Sequence, residues 1–435
     1  MSSSTSSLRF MGLNLTPSTS GRNVVTFYWA CLTGILLSTF TPQLQPYLLS
    51  EFLHIPTSEQ GLISGKLSFW GEVAIILSCG VWGALSDKIG RRPVMALGYA
   101  IITLGVLLYP YATSYNGLLV ARLAFGVGIG AFSVIIITLI ADYFEDESRG
   151  KATGMLGVFN GLGALTTVML LIQLPQYFQS TGMDSREAGF ATYYVVAAMT
   201  AVTALIMWLG LKKKDINAVP HEGNLLQIAQ AGLRAGRDPG IALAYGAAFI
   251  SRANLAVVGT FFTLWLANYG SDVLNMDRAA ALAKAGIILA IVQSIALFSA
   301  PIFGILTDKI NRVDALLLTM LFAFIGYGGT YFVTDPFGIG MITCGVFIGM
   351  SEVGCVITSA VLISQQSPKK IRGAVIGFFN LSGAVGIMVA SIAGGYLFDS
   401  WKPAGAFVFV GMAALIVLCW GLLVRHKIKP PEENI

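Results

Sequence analysis

Charged residues are scarce in this chain. Asp, Glu, Lys and Arg make up 11% of its 435 residues, whereas soluble domains carry about 25%. A water-exposed surface of this size needs more charge, so the composition excludes a soluble globular enzyme. Intrinsic disorder is excluded as well, because 55% of the residues are hydrophobic and such a chain has ample apolar surface to bury.

Residues that bind metals or carry out catalysis are also few. The three histidines lie in loops or in the tail, and the five cysteines lie in apolar runs without a CxxC spacing, so we expect no metal site and no disulfide. The sequence has no Walker A motif and no nucleophile-elbow serine. We therefore expect no enzyme activity, no cofactor and no ATP-driven transport by this chain.

Twelve apolar runs account for most of the sequence. Each has about the length of a membrane-spanning helix, which needs roughly 20 residues. The fold class that they predict is an all-α membrane protein with twelve transmembrane helices. The runs, numbered here in chain order, are 24–50, 61–82, 94–112, 116–140, 150–174, 188–211, 241–267, 279–303, 314–333, 338–362, 373–398 and 404–424.

The Lys and Arg residues between the runs predict the membrane topology. Twenty of them lie on the side that also holds both termini, and four lie on the other side. By the positive-inside rule, this places both termini in the cytoplasm. The same distribution accounts for the net charge of +5. We therefore expect a lipid bilayer, the plasma or inner membrane of a cell, as the partner, and no nucleic acid.

The domain organisation follows from the positions of the runs. We expect a disordered tail without a cleavable secretory signal at the N-terminus and one longer polar segment between two halves. Within that segment, 224–236 is either a short interfacial helix or part of a flexible tether. The predicted parts are a cytoplasmic N-terminal tail (1–23), a six-helix bundle (24–211), a cytoplasmic central loop (212–240), a second six-helix bundle (241–424) and a cytoplasmic C-terminal tail (425–435).

The two halves share sequence motifs. The loop after run 2 reads GALSDKIGRR from Gly83, and the loop after run 8 reads GILTDKINR from Gly304, an offset of 221 residues. Runs 5 and 11 share the pattern GxFNxxGA, which begins at Gly157 and Gly377, an offset of 220. A duplicated six-helix unit of this kind is typical of secondary transporters.

These motifs closely resemble the signature of the major facilitator superfamily, a family of secondary transporters. The motif from Gly83 resembles the family's loop 2–3 motif, and Arg122, Gly126 and Gly130 in run 4 resemble its helix 4 motif. The similarity of plan extends from about residue 24 to residue 424. The resemblance implies two pseudo-symmetric six-helix bundles around a central cavity, transport by alternating access and a monomeric protein.

The resemblance also implies a gate at the loop motif. Asp87, Arg91 and Asp142, the acid that closes run 4, would form a cytoplasmic latch that favours the outward-facing state. In the alternative interpretation, the basic residues of the loop only anchor it to anionic lipid. The gating residues that the two copies of the motif predict are Gly83, Asp87, Gly90, Arg91, Asp142, Gly304, Asp308 and Arg312.

Small residues of the repeated motifs have expected backbone roles. Gly83 is expected to let its helix approach a neighbour closely, as small residues do in membranes. Gly90 permits a left-handed turn, and Asn311, which replaces it in the second copy, is expected to tolerate the same conformation. Close packing is also expected at two pairs of glycines in runs 5 and 11, Gly157/Gly161 and Gly373/Gly377.

Five charged residues lie within the apolar runs and away from their ends, at depths where each charge costs about 2.5–3.5 kcal/mol. In the family, helices 7 and 10 line the central path, so Arg252 and Glu352 are expected to face each other across it. Arg252 would bind a carboxylate or a phosphate, and Glu352 would take up a proton, because a desolvated carboxyl group favours its neutral form. The alternative is a static ion pair that touches no substrate. The five residues are Lys66, Glu72, Arg122, Arg252 and Glu352.

Other polar residues complete the predicted path. Glu72 is a second candidate proton site, with Gln293 as its counterpart at an offset of 221, and Lys66 can extend its long side chain outwards. The resemblance implies that Arg122 couples protons or substrate. The amides within the runs are as consistent with helix bridging as with substrate contact. The predicted substrate and proton path comprises Arg252, Glu352, Glu72, Arg122, Asn160, Asn254, Gln293 and Asn380.

The function that these observations favour is secondary active transport, by symport or antiport with protons. Three basic and two acidic residues within the runs favour a small organic solute that is anionic or zwitterionic. Multidrug efflux is the alternative within the same class, although run 5 lacks the proline-bearing motif of drug antiporters and run 1 lacks an acid. A lipid-translocating protein or a transporter-like sensor is the alternative of another class.

Overall fold

Twelve helical spans long and apolar enough to cross a membrane are present in the computed structural model of the chain, which describes residues 9–17, 19–213, 225–368 and 371–428. They confirm the twelve-helix fold. Residues 214–224 of the predicted central loop and 429–435 of the predicted C-terminal tail lie outside the described residues. The spans are Gly21–Glu51, Thr57–Ile89, Arg91–Tyr111, Tyr115–Tyr143, Asp146–Ser180, Ser185–Gly210, Pro239–Asp272, Arg278–Lys309, Arg312–Phe332, Ile339–Gln366, Arg372–Ser400 and Gly405–Lys427.

The chain divides into two compact units. The first consists of Met1–His54 and Trp70–Pro220, and the second of Ile55–Phe69 and His221–Ile435. The division near residue 220 falls inside the polar segment between the two sequence halves. The inclusion of Ile55–Phe69, the beginning of the second span, in the second unit is not predicted by the sequence.

The first unit contains the first six spans, apart from the beginning of the second. Two capping boxes begin helices here. Ser20 and Asn23 exchange hydrogen bonds at the start of α1, and Asp184 and Glu187 do so at the start of α7. Its elements are β1 (Arg9–Phe10), β2 (Leu13–Asn14), α1 (Gly21–Glu51), α2 (Gln60–Ile89, from Trp70 onward), α3 (Arg91–Leu108), α4 (Tyr115–Tyr143), α5 (Asp146–Thr166), a π-helical turn (Thr167–Leu171), α6 (Leu174–Ser180) and α7 (Ser185–Gly210).

The N-terminal segment before α1 is ordered from residue 9, so the prediction of a disordered tail is wrong for this part. β1 and β2 pair antiparallel, with Phe10 opposite Leu13. Leu13 and Leu15 are each 1% exposed. Burial of two leucines contributes about 1.5–3 kcal/mol per side chain, and this offsets the loss of conformational entropy that otherwise keeps a polar tail disordered.

The second unit contains the last six spans and the beginning of α2. The carboxylate of Asp399, near the end of α14, accepts hydrogen bonds from the backbone N–H groups of Gly61 (2.9 Å) and Leu62 (2.7 Å) in the first turn of α2. Its further elements are α8 (Leu225–Ala235), α9 (Pro239–Val257), a π-helical turn (Val258–Phe262), α10 (Thr263–Asp272), α11 (Arg278–Lys309), α12 (Arg312–Gly329), α13 (Ile339–Gln366), α14 (Arg372–Ser400) and α15 (Gly405–Val424).

The short helix α8 decides between the two interpretations of residues 224–236. This segment is helical over Leu225–Ala235 rather than a flexible tether. Gly232 packs against the backbone of Ala374 in α14, and its carbonyl accepts a hydrogen bond from the hydroxyl of Tyr245 at 2.9 Å. The helix is therefore held against the second unit through Gly232.

Candidate functional site

Among the described residues of the second unit, the buried carboxyl group is that of Glu352 in α13. Its side chain is 7% exposed, and both of its oxygens lie 3.5 Å from Nε2 of Gln293 in α11. None of the ion pairs recorded among the described residues includes Glu352. In the sequence, Gln293 is the repeat counterpart of Glu72, and its contact with Glu352 is not predicted. The available signal was a polar residue in the eighth span and another in the tenth.

A second polar group lies in the same unit, at Asn254 of α9. This side chain is fully buried, and its Nδ2 lies 3.9 Å from Sγ of Cys355, which is one turn beyond Glu352 on α13. The hydroxyl of Tyr327 donates a hydrogen bond to the backbone carbonyl of Asn254 at 3.3 Å. The Oδ1 atom of Asn254 is buried without a hydrogen-bond partner among the described residues. The structure thus links α9 and α13 through Asn254.

Arg252 has a different environment from Glu352. It lies on α9 and is exposed, and Gly383 of α14 packs against its aliphatic stem. The absence of a side chain at Gly383 is needed there, because an added Cβ would come within 2.6 Å of Cγ of Arg252. Arg252 is therefore an exposed residue, whereas Glu352 is buried.

In the first unit, Arg122 of α4 lies against α2. Its Nε would come within 2.5 Å of a Cβ added to Gly71, and its Cζ lies 5.8 Å from the centre of the Phe125 ring. Glu72, the next residue after Gly71, is half-buried. Asn160 of α5 has a buried Oδ1 without a hydrogen-bond partner in the described part of the chain, while Asn380 of α14 in the second unit is exposed.

The first copy of the loop motif is organised around Arg91, the first residue of α3. Its Nη1 lies 2.6 Å from Oδ1 of Asp87, and its Nε lies 3.3 Å from Oδ2 of Asp142. Nη1 also donates to the backbone carbonyl of Ser86 at 2.9 Å. One guanidinium thus joins the ends of three helices, α2, α3 and α4. The structure brings together the three residues that the resemblance implies for a latch.

The contacts of Arg92 and Gly83 in the same motif differ from those that the sequence predicts. The guanidinium of Arg92 lies over the ring of Trp208 at 5.0 Å. A Cβ added to Gly83 would meet its nearest neighbour, Val134, at an ordinary distance of 3.8 Å. No close approach therefore requires Gly83. The same holds for Gly157, Gly304, Gly373 and Gly377, around which an added Cβ would meet no atom of the structure within 4 Å.

The N-terminal hairpin packs on the same end of α4. The hydroxyl of Thr16 donates to the backbone carbonyl of Asp142 at 2.6 Å, and the N–H of Thr16 donates to the carbonyl of Tyr143 at 3.0 Å. Leu15 forms an antiparallel bridge with Phe144, and Glu145 donates its N–H to the carbonyl of Asn14 at 3.1 Å. The hairpin therefore holds the backbone that carries the carboxylate of Asp142, a contact that the sequence does not predict.

The second copy of the motif borders a cavity of about 280 Å³, lined by Asp308, Arg312 and Gln365 among others. Asn311 has φ −57° and ψ 130°, so the prediction of a left-handed turn at this residue is wrong. Its side chain instead caps α12, accepting a hydrogen bond from the N–H of Val313 at 2.9 Å. Gly90 in the first copy does have a positive φ, +100°.

The chain is similar to membrane transporters along its whole length. The sequence model of a family described as Major Facilitator Superfamily matches residues 26–358 and 336–435. Magnetosome protein MamH of Paramagnetospirillum magneticum is 25% identical over 402 residues, which cover 90% of each chain. A "Probable 4-methylmuconolactone transporter" of Cupriavidus pinatubonensis is 35% identical over 156 residues, or 34% of this chain and 36% of the relative.

A solved structure of the nucleoside transporter NupG has the same fold. The two chains superpose with a TM-score of 0.72 at 13% sequence identity, and the match covers 94% of this chain and 100% of NupG. At this identity the likeness establishes the fold alone.

Proposed function

The chain belongs to the Major Facilitator Superfamily, and we propose that it moves a small organic anion across the membrane by alternating access, coupled to protons. Transport of small organic solutes is the family's activity that the comparisons support. The anionic solute, the protons and the mechanism are the proposal. Its coupling residue is Glu352, and its solute-binding residue is Arg252.

The observation that carries the proposal is the burial of Glu352 with the neutral amide of Gln293 as its hydrogen-bond partner. An ionised carboxylate is costly to bury without a cation. Protonation removes this cost, and the neutral amide of Gln293 remains a hydrogen-bond partner for either form of the acid. A proton that binds and leaves at Glu352 would thus accompany a change in the exposure of this carboxyl group.

One observation supports an anionic solute, and a second supports a small organic one. Arg252 is exposed, and its guanidinium provides a planar array of N–H donors that suits a carboxylate. One relative is named for a solute, 4-methylmuconolactone, which is a small organic compound. The other residues of the predicted path, Glu72, Arg122, Asn160, Asn254 and Asn380, belong to the same proposal as contacts with solute or between helices.

Proton coupling can be tested in proteoliposomes that contain a pH-sensitive dye. A panel of small carboxylates, lipophilic cations and zwitterions identifies the solute by the change in internal pH that its addition causes. We expect a carboxylate to be transported with protons by the unmodified protein. We expect Glu352→Gln to reduce the solute-dependent pH change at least about tenfold, because the amide cannot take up a proton. Exchange of solute across the membrane should continue in this variant.

The control for this variant is Glu147→Gln, which removes an exposed glutamate in the first turn of α5 and should leave coupling unchanged. Undiminished proton movement in Glu352→Gln would contradict the role of Glu352. Transport of lipophilic cations alone would contradict the anionic solute and favour drug efflux.

The proposal includes a gating role for the first loop motif. Asp87→Asn removes one carboxylate from Arg91, and because these side chains are partly exposed, the ion pair contributes only about 1 kcal/mol. A change of that size shifts a two-state equilibrium about fivefold. We expect a several-fold loss of transport rate for the identified solute. The matched control is Asp272→Asn, which removes an exposed aspartate outside both copies of the motif, and an unchanged rate in Asp87→Asn would refute the gating role.

A further inference from the structure

A group of buried hydrogen-bond donors in the first unit lacks partners. Arg122 of α4 has buried Nε and Nη1 atoms without a hydrogen-bond partner among the described residues. The hydroxyl of Tyr193 is also buried without a hydrogen-bond partner within this part of the chain. The hydroxyl of Tyr109 is buried beside the guanidinium of Arg122, from which its oxygen can accept a hydrogen bond while its O–H remains available as a donor. Both tyrosines are 0% exposed. The guanidinium lies within electrostatic reach of both phenols. The three side chains therefore form one cluster, defined here as the Arg122 cluster.

Aromatic rings enclose the Arg122 cluster. The rings of Tyr109 and Tyr193 are stacked with their centres 5.7 Å apart. Phe40 of α1 packs edge-on against Tyr193 at 5.6 Å, and the Phe125 ring lies 5.8 Å from Cζ of Arg122. Such surroundings have a low effective dielectric constant, which strengthens electrostatic interactions and raises the cost of an unbalanced charge.

The chemistry of the cluster selects its ligand. None of the ion pairs among the described residues includes Arg122. The residue is half-buried, and a cation that is partly removed from water without a balancing charge carries a desolvation cost. Water would accept the hydrogen bonds but would leave the charge unbalanced. A small anion accepts N–H and O–H donors together and supplies the missing negative charge.

We propose that Arg122, Tyr109 and Tyr193 form a binding site for one small monovalent anion, a halide, nitrate or short carboxylate. The site lies within the first unit, between the ends of α3 and the helices α4 and α7, whereas Glu352 and Gln293 lie in the second unit. Arg122 also belongs to the predicted path of the proposed function, but the assignment concerns binding within the first unit and its test does not require transport. An inorganic ion and the carboxylate of a solute share the chemistry that the cluster recognises.

The test measures thermal unfolding of the purified full-length protein in sodium chloride, sodium nitrate or sodium formate at constant ionic strength. Sodium gluconate, whose anion is too large for the site, keeps the ionic strength constant. We expect the unfolding midpoint to rise saturably with at least one small anion, because a ligand that binds the folded state stabilises it. Chloride or nitrate binding identifies an inorganic ion site, and binding of formate alone identifies a carboxylate site.

Three variants test the assignment of residues. Arg122→Gln should abolish the anion-dependent rise. Tyr109→Phe and Tyr193→Phe, which keep the packing, should each weaken the apparent affinity about tenfold, as expected for a hydrogen bond to a charged group. The control is Arg186→Gln, which removes an exposed arginine that also lies beside an aromatic ring, that of Phe52.

The outcomes separate the site from water and from transport. A midpoint that responds equally to all salts, or an unchanged response in both tyrosine variants, overturns the proposal and leaves the cluster filled by water. Because the readout is binding, failure of the proposed transport activity leaves this result unaffected. If Arg122→Gln does not fold, the tyrosine variants still decide.

Discussion

The two copies of the loop motif have similar sequences but different structures. In the first copy, Arg91 pairs with Asp87 and Asp142. In the second, Asp308 and Arg312 border a cavity of about 280 Å³, and no ion pair between them is recorded among the described residues. The difference shows that the motif alone does not determine the ion pairs, because Asp142, the second acid that pairs with Arg91, lies outside the motif at the end of α4.

The third partner differs between the halves. Arg149 and Arg372 correspond at an offset of 223, and the same offset relates Asp142 at the end of α4 to Gln365 at the end of α13. A neutral amide thus stands in the second copy where a carboxylate stands in the first. The backbone carbonyl of Asp142 in addition accepts a hydrogen bond from the hydroxyl of Thr16, just after the N-terminal hairpin. The first copy is therefore the one built to hold its helix ends together.

The largest expected effect follows from removing the hairpin. Leu15→Asp replaces a side chain that is 1% exposed with a charged one, and loss of burial together with a buried charge costs about 3 kcal/mol. We expect the hairpin to separate from α4. Hydrogen exchange at the N–H groups of Thr16 and Glu145, which bond across this interface, should then rise by about two orders of magnitude.

The control for this variant is Met11→Asp, because Met11 lies in the turn of the same hairpin and is 53% exposed. It should leave the exchange rates unchanged. Unaltered protection of Glu145 in Leu15→Asp would show that the hairpin does not support this end of α4.

A smaller effect is expected from the turn residues that differ between the copies. Gly90 has φ +100° and ψ 162°, a conformation that is essentially restricted to glycine, so Gly90→Ala should cost about 1–3 kcal/mol. Asn311→Gly in the second copy removes a helix cap but keeps an allowed backbone, and should cost only a few tenths of a kcal/mol. Thermal unfolding of both variants in the same detergent measures the difference. Equal shifts would contradict the assigned backbone roles.

The twelve-helix fold is predictable because its signal is local. A run of about 20 apolar residues specifies a membrane span whatever surrounds it, and all twelve predicted runs coincide with spans of the structure. The order of Asp87 and Arg91 within a motif is equally local, and these two residues do meet. Their role as a gate stays a prediction.

The remaining contacts depend on tertiary structure, which the sequence does not reveal. Gln293 meets Glu352 because of the rotation of α11 and α13 about their axes, and an offset between repeats carries no information on rotation. The hairpin of β1 and β2 has only two residues in each strand, which is too short for a periodic pattern. Asn311 can both cap a helix and adopt a left-handed turn, and the structure, not its residue type, decides between them.

The smallest expected effect comes from giving the second copy the charge that it lacks. Gln365→Asp introduces a carboxylate beside the cavity that Asp308 and Arg312 also line. Because the site is open, a new ion pair with Arg312 should add only about 0.2–1 kcal/mol, and high salt should remove the gain. Thermal unfolding of the purified variant at low and high salt measures it, with Gln365→Asn as the matched neutral control. A change in stability that does not depend on salt, or that Gln365→Asn shares, would contradict this expectation. It would mean that a missing carboxylate alone does not explain the difference between the copies, and that the contacts of the N-terminal hairpin with the end of α4 distinguish the first copy.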